Sequence, residues 1–512
     1  MLRKKPTTLR DKASQLIFAR LGSNMPPPVT VAEDAKRMAA LLERCPVGGL
    51  MLFNGDVRDT PSILSRLQAK SRFPLLVATD MERGVGQQIS GATVFPHAAA
   101  YRTEADVAAS ARIAAREALA CGIHITFAPV ADVNRDPRNP IIATRAFGAD
   151  PARAARLVAA YVRGCRAEGL LATAKHFPGH GNTSRDSHAE LPVVESSRAE
   201  WAQTDAVPFR AAIDAGVDLV MTGHLVYPAL DASRTPATGS RRMLHDLLRE
   251  ELGFRGAVIT DSLLMAAVRG DHVGEQAVAL VRAGVDILLD MPDPEAAVAG
   301  LVRAVAEGRL SEACLDEAMG RVWALKERMA ARFGPEVFTH PPVAEVGVPA
   351  HRNQALHVAR RGLRVMSAGR EMPVPDLVIL IHPHRSHLDP PEAPMGAMVC
   401  ENLPGAAYAE IGPDTNAAAM ADLAKQAMAA RHVVLALVVK PAAWHAFGLL
   451  PAQDAFVADL VARRPVTLAS LGSPHILARY PDAPVHLCMY SDVAPSQRAL
   501  VEWLAEGANQ DS

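Results

Sequence analysis

The chain has 512 residues, more than one ordinary hydrophobic core organises, which predicts two domains. Its 49% hydrophobic and 21% charged residues are those of a globular protein. A formal net charge of −1 with 4% aromatics offers neither a basic surface for nucleic acid or acidic membrane nor a base-stacking platform. No apolar stretch is long enough to span a bilayer, and six scattered cysteines without a C-x-x-C pair suit free thiols better than a disulfide framework.

In chain order, "MLRKKPTTLRDKASQLIFARLGS" has basic residues but no long apolar run behind them, so it predicts an amphipathic helix rather than a secretion signal. The expected location is the cytoplasm. One rhythm then repeats: a short apolar run ending in polar residues, followed by an Ala/Leu/Arg-rich segment with helical spacing. The runs are 47–56, 74–82, 122–134, 170–180, 218–228, 256–265 and 286–292. Continuous apolar runs between helices mark a parallel sheet covered on both faces. Seven runs with an eighth unlocated predict an α/β fold, a (β/α)8 TIM-like barrel, in preference to an open doubly wound sheet. "AGVD" at 215–218 and at 283–286 reads as a helix C-cap glycine feeding a buried strand.

The C-terminal ends of these runs carry Asn54, Asp80, Asp132, Lys175, His176, His224, Asp261 and Asp290. In a βα barrel that end gathers the strand tips and following loops into one site, whereas a solvated surface would spread charge over both ends. The catalytic barrel domain is expected over 1–334. A Pro/Gly-rich linker follows at 335–349, then a smaller α/β (αβα sandwich) domain at 350–512.

The stretch "HFPGHGNTSRDSH", 176–188, has three histidines and two glycines in thirteen positions. A metal site is one reading, but Pro-Gly separates His176 from His180, so no helix aligns them, and no H-E-x-x-H or nearby cysteine is present. A phosphate loop would need G-K-[ST] or G-x-G-x-x-G before a helix. An acid–base device fits better. Asp186 and His188 are two apart, so in an extended segment they point the same way. The carboxylate can then fix the imidazole tautomer while the other nitrogen exchanges a proton. The glycines predict a tether free to bend, carrying that pair. A surface loop without a role remains the alternative. Asp261, directly after an apolar run, is either a functional carboxylate or the N-cap of the next helix. Carboxylates at 80, 132 and 261 with Lys175, Arg145 and histidines would line a hydroxyl-binding pocket, and a carboxylate nucleophile opposite a proton donor is the plan of retaining glycoside hydrolysis.

Four segments together resemble glycoside hydrolase family 3, in its β-N-acetylhexosaminidase branch. They are "KHFPGHGNTSRDSH", "FAPVADVNRDPRNPIIATRAFGADP", "TDSLLM" and "VATDMERGVGQ". The resemblance covers about residues 10–335 and continues more loosely beyond. It implies Asp261 as nucleophile, His188 as acid/base and Asp186 as its partner. It implies Asp80, Arg145, Lys175 and His176 as sugar contacts, with Asp132 and His224 nearby. The branch's usual "D-x-E-G-G-R-V-x-R" ends in a sugar-contacting Arg that falls on Gln88 here, and its usual "DD" or "DA" is "DS", placing Ser262 after the nucleophile. The implied function is a retaining exo-β-N-acetylglucosaminidase acting on peptidoglycan turnover fragments, with a small carbohydrate as partner and neither metal nor cofactor. A β-glucosidase or a β-glycoside phosphorylase of the same family is the alternative. Oligomeric state is left open.

Overall fold

The computed structural model describes residues 5–183, 191–265, 272–367, 373–384, 394–441 and 447–506. The chain divides into two compact units, and the division is not a single cut. The first comprises Met1–Thr93, Thr103–Asn139 and Ala146–His351; the second comprises Val94–Arg102, Pro140–Arg145 and Arg352–Ser512.

In the first unit, among the described residues, eight parallel strands follow chain order around a barrel. They are β1 (Ile17–Leu21), β2 (Gly49–Leu52), β3 (Leu76–Thr79), β4 (Ile125–Thr126), β5 (Leu171–Phe177), β6 (Leu219–Thr222), β7 (Ala257–Thr260) and β8 (Leu288–Leu289). β8 pairs with β1, and a parallel bridge between Ile259 and Ile287 closes the ring. Apart from Arg20, every residue of these strands is buried, as expected when helices cover the outside and side chains fill the inside.

The N-terminal stretch departs from the single helix expected of it. A short helix, Leu9–Ser14, capped by Thr8, ends before β1. Ile17, Phe18 and Leu21 are fully buried between β8 and β2, so burial on both faces overrides the helical spacing. This is the strand that seven apolar runs left unlocated. The helices start and stop by ordinary chemistry. Val31–Arg44 opens on a Thr30/Glu33 capping box, and Pro151–Glu168 opens on Asp150 with Pro at its first turn and ends on left-handed Gly169. Both "AGVD" glycines have positive φ, 81° at Gly216 and 113° at Gly284, and each is followed by a buried aspartate that leads into a strand.

The second unit is built on a sheet of β9 (Arg364–Ser367), β10 (Leu377–Ile381), β11 (Ala407–Ile411), β12 (Val433–Leu437), β13 (Thr467–Ser470) and β14 (Val485–Cys488), in the order β9-β14-β13-β12-β10-β11. Only the β9–β14 pairing is antiparallel. Alternate residues of β10 enter opposite cores. Val378 and Leu380 pack with Met395, Val399 and Leu500, and Leu377, Ile379 and Ile381 pack with Phe456, Val457 and Leu460. The unit is therefore an αβα sandwich. All six cysteines are free thiols, and no helix among the described residues is long and apolar enough to cross a membrane.

Candidate active site

The barrel turns the C-terminal strand ends into one mouth, and three ion-paired groups line it. On β5, Lys175 is almost fully buried, and its Nζ lies 2.7 Å from Asp80 Oδ1 and 2.8 Å from Glu82 Oε1. An ammonium ion so buried needs charged partners, and the loop after β3 supplies two. Glu82 was not singled out from the sequence. Its signal is the spacing of two from Asp80, which puts both carboxylates on one side of an extended segment.

Beside this group, His176 Nδ1 donates to Asp132 Oδ2 at 2.7 Å. The same carboxylate accepts from the backbone N–H groups of His176 at 3.2 Å and His180 at 2.7 Å. Asp132 is completely buried. Burial alone would raise its pKa, but the His176 imidazole, by charge and hydrogen bond, together with His180, holds the carboxyl below its usual value.

Asp261 follows β7. Its backbone N–H donates to the Thr222 carbonyl at 3.2 Å, continuing the β6–β7 ladder, and its Oδ1 accepts from the Ser262 N–H at 2.7 Å. Ser262 Oγ donates to Asp290 Oδ2 at 2.6 Å, and Asp290 takes a bidentate pair from Arg20 on β1. His224, fully buried, has both ring nitrogens engaged, Nδ1 with Thr238 Oγ1 at 2.8 Å and Nε2 with the Ser262 carbonyl at 3.0 Å. Those contacts tie His224 to the backbone beside Asp261. Arg20 went unrecognised because its strand was read as helix.

Gln88 is buried where the loop after β3 meets the loop after β1. Its Oε1 accepts from Asn24 Nδ2 at 2.8 Å, and its carbonyl accepts from the Gly55 N–H at 2.8 Å, part of a two-stranded ladder between Gly55–Asp56 and Ile89–Ser90. Arg145 lies in the 140–145 segment of the second unit, where its Nη1 donates to the Ile141 carbonyl at 2.9 Å. Asp186 and His188 lie outside the described residues.

The beginning of the glycine-rich segment is not a tether. The carbonyls of Pro178, Gly179 and His180 accept from Trp201 Nε1 at 2.9 Å, Tyr227 Oη at 3.0 Å and Asn139 Nδ2 at 2.9 Å. The glycines are there for close packing. A Cβ on Gly181 would meet the Val133 carbonyl oxygen at 1.9 Å, and one on Gly179 would meet Asp205 Cβ at 2.7 Å. Below this segment Asp205 takes a 2.9 Å hydrogen bond from Arg135, which also pairs with Glu200. Burial, with Asp132 nearby, pushes Asp205 up to about 6 against the opposing pull of Arg135 and Tyr227.

Residues 8–325 match the family described as the glycosyl hydrolase family 3 N terminal domain. A β-N-acetylglucosaminidase/β-glucosidase of Cellulomonas fimi is 34% identical over 351 residues, covering 66% of this chain and 62% of that protein. β-Hexosaminidase A of Pseudoalteromonas piscicida is 32% identical over 383 residues, 67% of this chain and 63% of that protein. The chain thus spans under two thirds of the length of either relative. A solved structure of a glycoside hydrolase family 3 β-N-acetylglucosaminidase from Paenibacillus sp. str. FPU-7 superposes with a TM-score of 0.87 at 29% identity, covering 98% of this chain and 97% of that one.

Proposed function

Because the chain belongs to glycosyl hydrolase family 3, we propose that it is a retaining exo-β-N-acetylglucosaminidase. It releases terminal β-linked N-acetylhexosamine, with peptidoglycan turnover fragments as the natural substrate class. The observation that carries this reading is the strand-end cluster of Asp80, Glu82, Lys175, Asp132 and His176 around the barrel mouth that also holds Asp261. Such a set binds hydroxyl groups through many hydrogen bonds and sets a carboxylate among them. The names of the relatives, and the superposition of 98% of this chain on the Paenibacillus enzyme, support the same activity.

In the first step an Asp261 oxygen attacks the anomeric carbon as the bond to the leaving oxygen breaks, and His188, held by Asp186, gives that oxygen its proton. A glycosyl–aspartate ester results. In the second step His188 takes a proton from water, the water oxygen attacks the anomeric carbon, and the ester bond breaks to restore Asp261. A histidine donor becomes neutral rather than anionic on giving up its proton, which suits aglycones bearing carboxylates, as peptidoglycan fragments do. Asp80, Lys175, His176 and Arg145 bind the sugar, with Asp132, His224 and Gln88 shaping the surroundings.

A 2-deoxy-2-fluoro glycosyl donor with a good leaving group tests the core of this scheme. Peptide mapping is expected to find the label on Asp261, and a label on another residue overturns it. A second reading, β-glucoside hydrolysis, is favoured by Gln88 standing where the branch has Arg and by the double name of the Cellulomonas fimi relative. Comparing kcat/KM on aryl β-N-acetylglucosaminide and aryl β-glucoside separates the two.

A further inference from the structure

We infer that Arg20 and Asp290 are positioning residues that act through Ser262 to hold the Asp261 carboxylate in its attacking orientation, an inference that rests on the reading of Asp261 as the nucleophile. The link begins at the Ser262 N–H, which donates to Asp261 Oδ1 at 2.7 Å, so any rotation of that peptide turns the donor away from the carboxylate. Ser262 is held at its other two polar atoms as well. Its hydroxyl donates to Asp290 Oδ2 at 2.6 Å, and its carbonyl lies 3.0 Å from His224 Nε2. A carbonyl oxygen can only accept, so Nε2 carries the hydrogen, while Nδ1 pairs with Thr238 Oγ1 at 2.8 Å.

Asp290 is itself fixed. It is 2% exposed, its φ of 61° is one that few residues besides Gly, Asn and Asp adopt, and Arg20 Nε lies 3.0 and 3.1 Å from its two oxygens, with Nη2 completing the fork. The Arg20 guanidinium lies over the Phe53 ring at 5.0 Å, and the Arg20 carbonyl accepts from Arg37 Nη2 at 2.6 Å. The brace therefore links β6, β7, β8, β1 and the end of β2 into one rigid arc behind the nucleophile. Among the described residues, the charged groups near Asp290 include Arg20 from β1 and the Arg37–Asp34 pair from the helix Val31–Arg44, with Asp261 linked to it through Ser262.

Charge explains why residue 262 is Ser in this chain. An Asp at 262 would set a second carboxylate against Asp290, and an Ala would cut the link. The hydroxyl makes it without adding charge. Arg20 in turn neutralises Asp290, so the brace fixes geometry without placing net negative charge beside a group that must remain anionic.

The test uses an activated aryl glycoside, whose leaving group needs no proton, in variants checked for folding by circular dichroism. Ser262→Ala is expected to lower kcat about tenfold with KM within about twofold, and Ser262→Thr to restore it. Arg20→Gln leaves Asp290 uncompensated, so the acidic limb of kcat/KM moves to higher pH. Asp290→Asn leaves Arg20 uncompensated and moves it lower. Each displacement is about half a pH unit, and the double variant returns toward wild type. A merely structural role would not displace the limb in opposite directions. If fluoro-sugar labelling finds Asp261 but the limbs stay put or move together, this inference alone is overturned; if Asp261 is not labelled, the nucleophile reading falls and takes this inference with it. Should the charge variants fail to fold, Ser262→Ala decides, and a full rate there overturns the inference.

Discussion

At the N-terminal ends of the barrel strands, Asp218 and Asp286 each accept a hydrogen bond from a backbone N–H near the start of a neighbouring strand, Ala172 at 3.0 Å and Val258 at 2.7 Å. Arginines from the outer helices close over both, Arg328 on Asp218, and Arg249 with Arg321 on Asp286. At the C-terminal ends, Lys175 bridges Asp80 and Glu82, and His176 meets Asp132. The residue types are the same, but the partners differ. Below, each carboxylate is tied to backbone and to outer-helix cations, an arrangement that welds strand to helix. Above, the groups come from the strand ends and the loops that follow them, and they pair with one another across the mouth. One rim ties strand to helix, and the other is the rim to which the proposed function assigns the chemistry.

The largest effect that would break this contrast is at Asp261. Asp261→Ala is expected to reduce kcat by roughly ten-thousandfold or more, because the proposed mechanism forms its ester on Asp261, while the melting temperature stays near that of wild type. Steady-state rates with thermal unfolding check both halves. A comparable loss of melting temperature would make Asp261 a structural residue like those of the lower rim.

Lys175→Ala comes next. It leaves Asp80 and Glu82 facing one another without the ammonium that holds both, and a drop in kcat/KM of roughly a hundred- to a thousandfold is expected. Retention of full kcat/KM would show the triad to be a packing feature.

On the lower rim the expected loss changes kind. Burial pushes the Asp286 carboxyl up and Arg249 down, so the attraction between them does not fully offset desolvation. Asp286→Ala strands the buried Arg249 and the Val258 N–H, which costs roughly 3–4 kcal/mol by denaturant unfolding. The kcat of the folded fraction should be unchanged, and a large fall in it would erase the distinction between the rims.

Much of this architecture was legible in local sequence, because a buried parallel strand announces itself as a short apolar run with polar residues at its end. Strand β1 was not, since Arg20 interrupts the run and the preceding helix lends it a helical period. Partnerships were less legible than positions. Asp80 and Lys175 were both placed at strand ends, but the 2.7 Å contact joins residues 95 apart, and nothing local encodes it. The glycines at 179 and 181 signalled freedom when read alone. What they accommodate, Asp205 and the Val133 carbonyl, becomes visible only in three dimensions.

Asp205 gives the smallest and most discriminating effect, because it combines the two rims. It has an arginine partner, as the lower carboxylates do, yet it lies beneath the segment that begins at His176. Burial raises it from the ordinary 3.8 to about 6, so between those values the folded protein holds a proton that the unfolded chain has released. Stability from this group is therefore full below pH 3.8 and falls as pH rises through 6. The gap of about 2 pH units corresponds to about 3 kcal/mol. Asp205→Asn cannot titrate, so its melting temperature relative to wild type should climb from pH 4 to pH 6 and then level off. Parallel stability curves for the two proteins would mean that Arg135 keeps Asp205 ionised throughout.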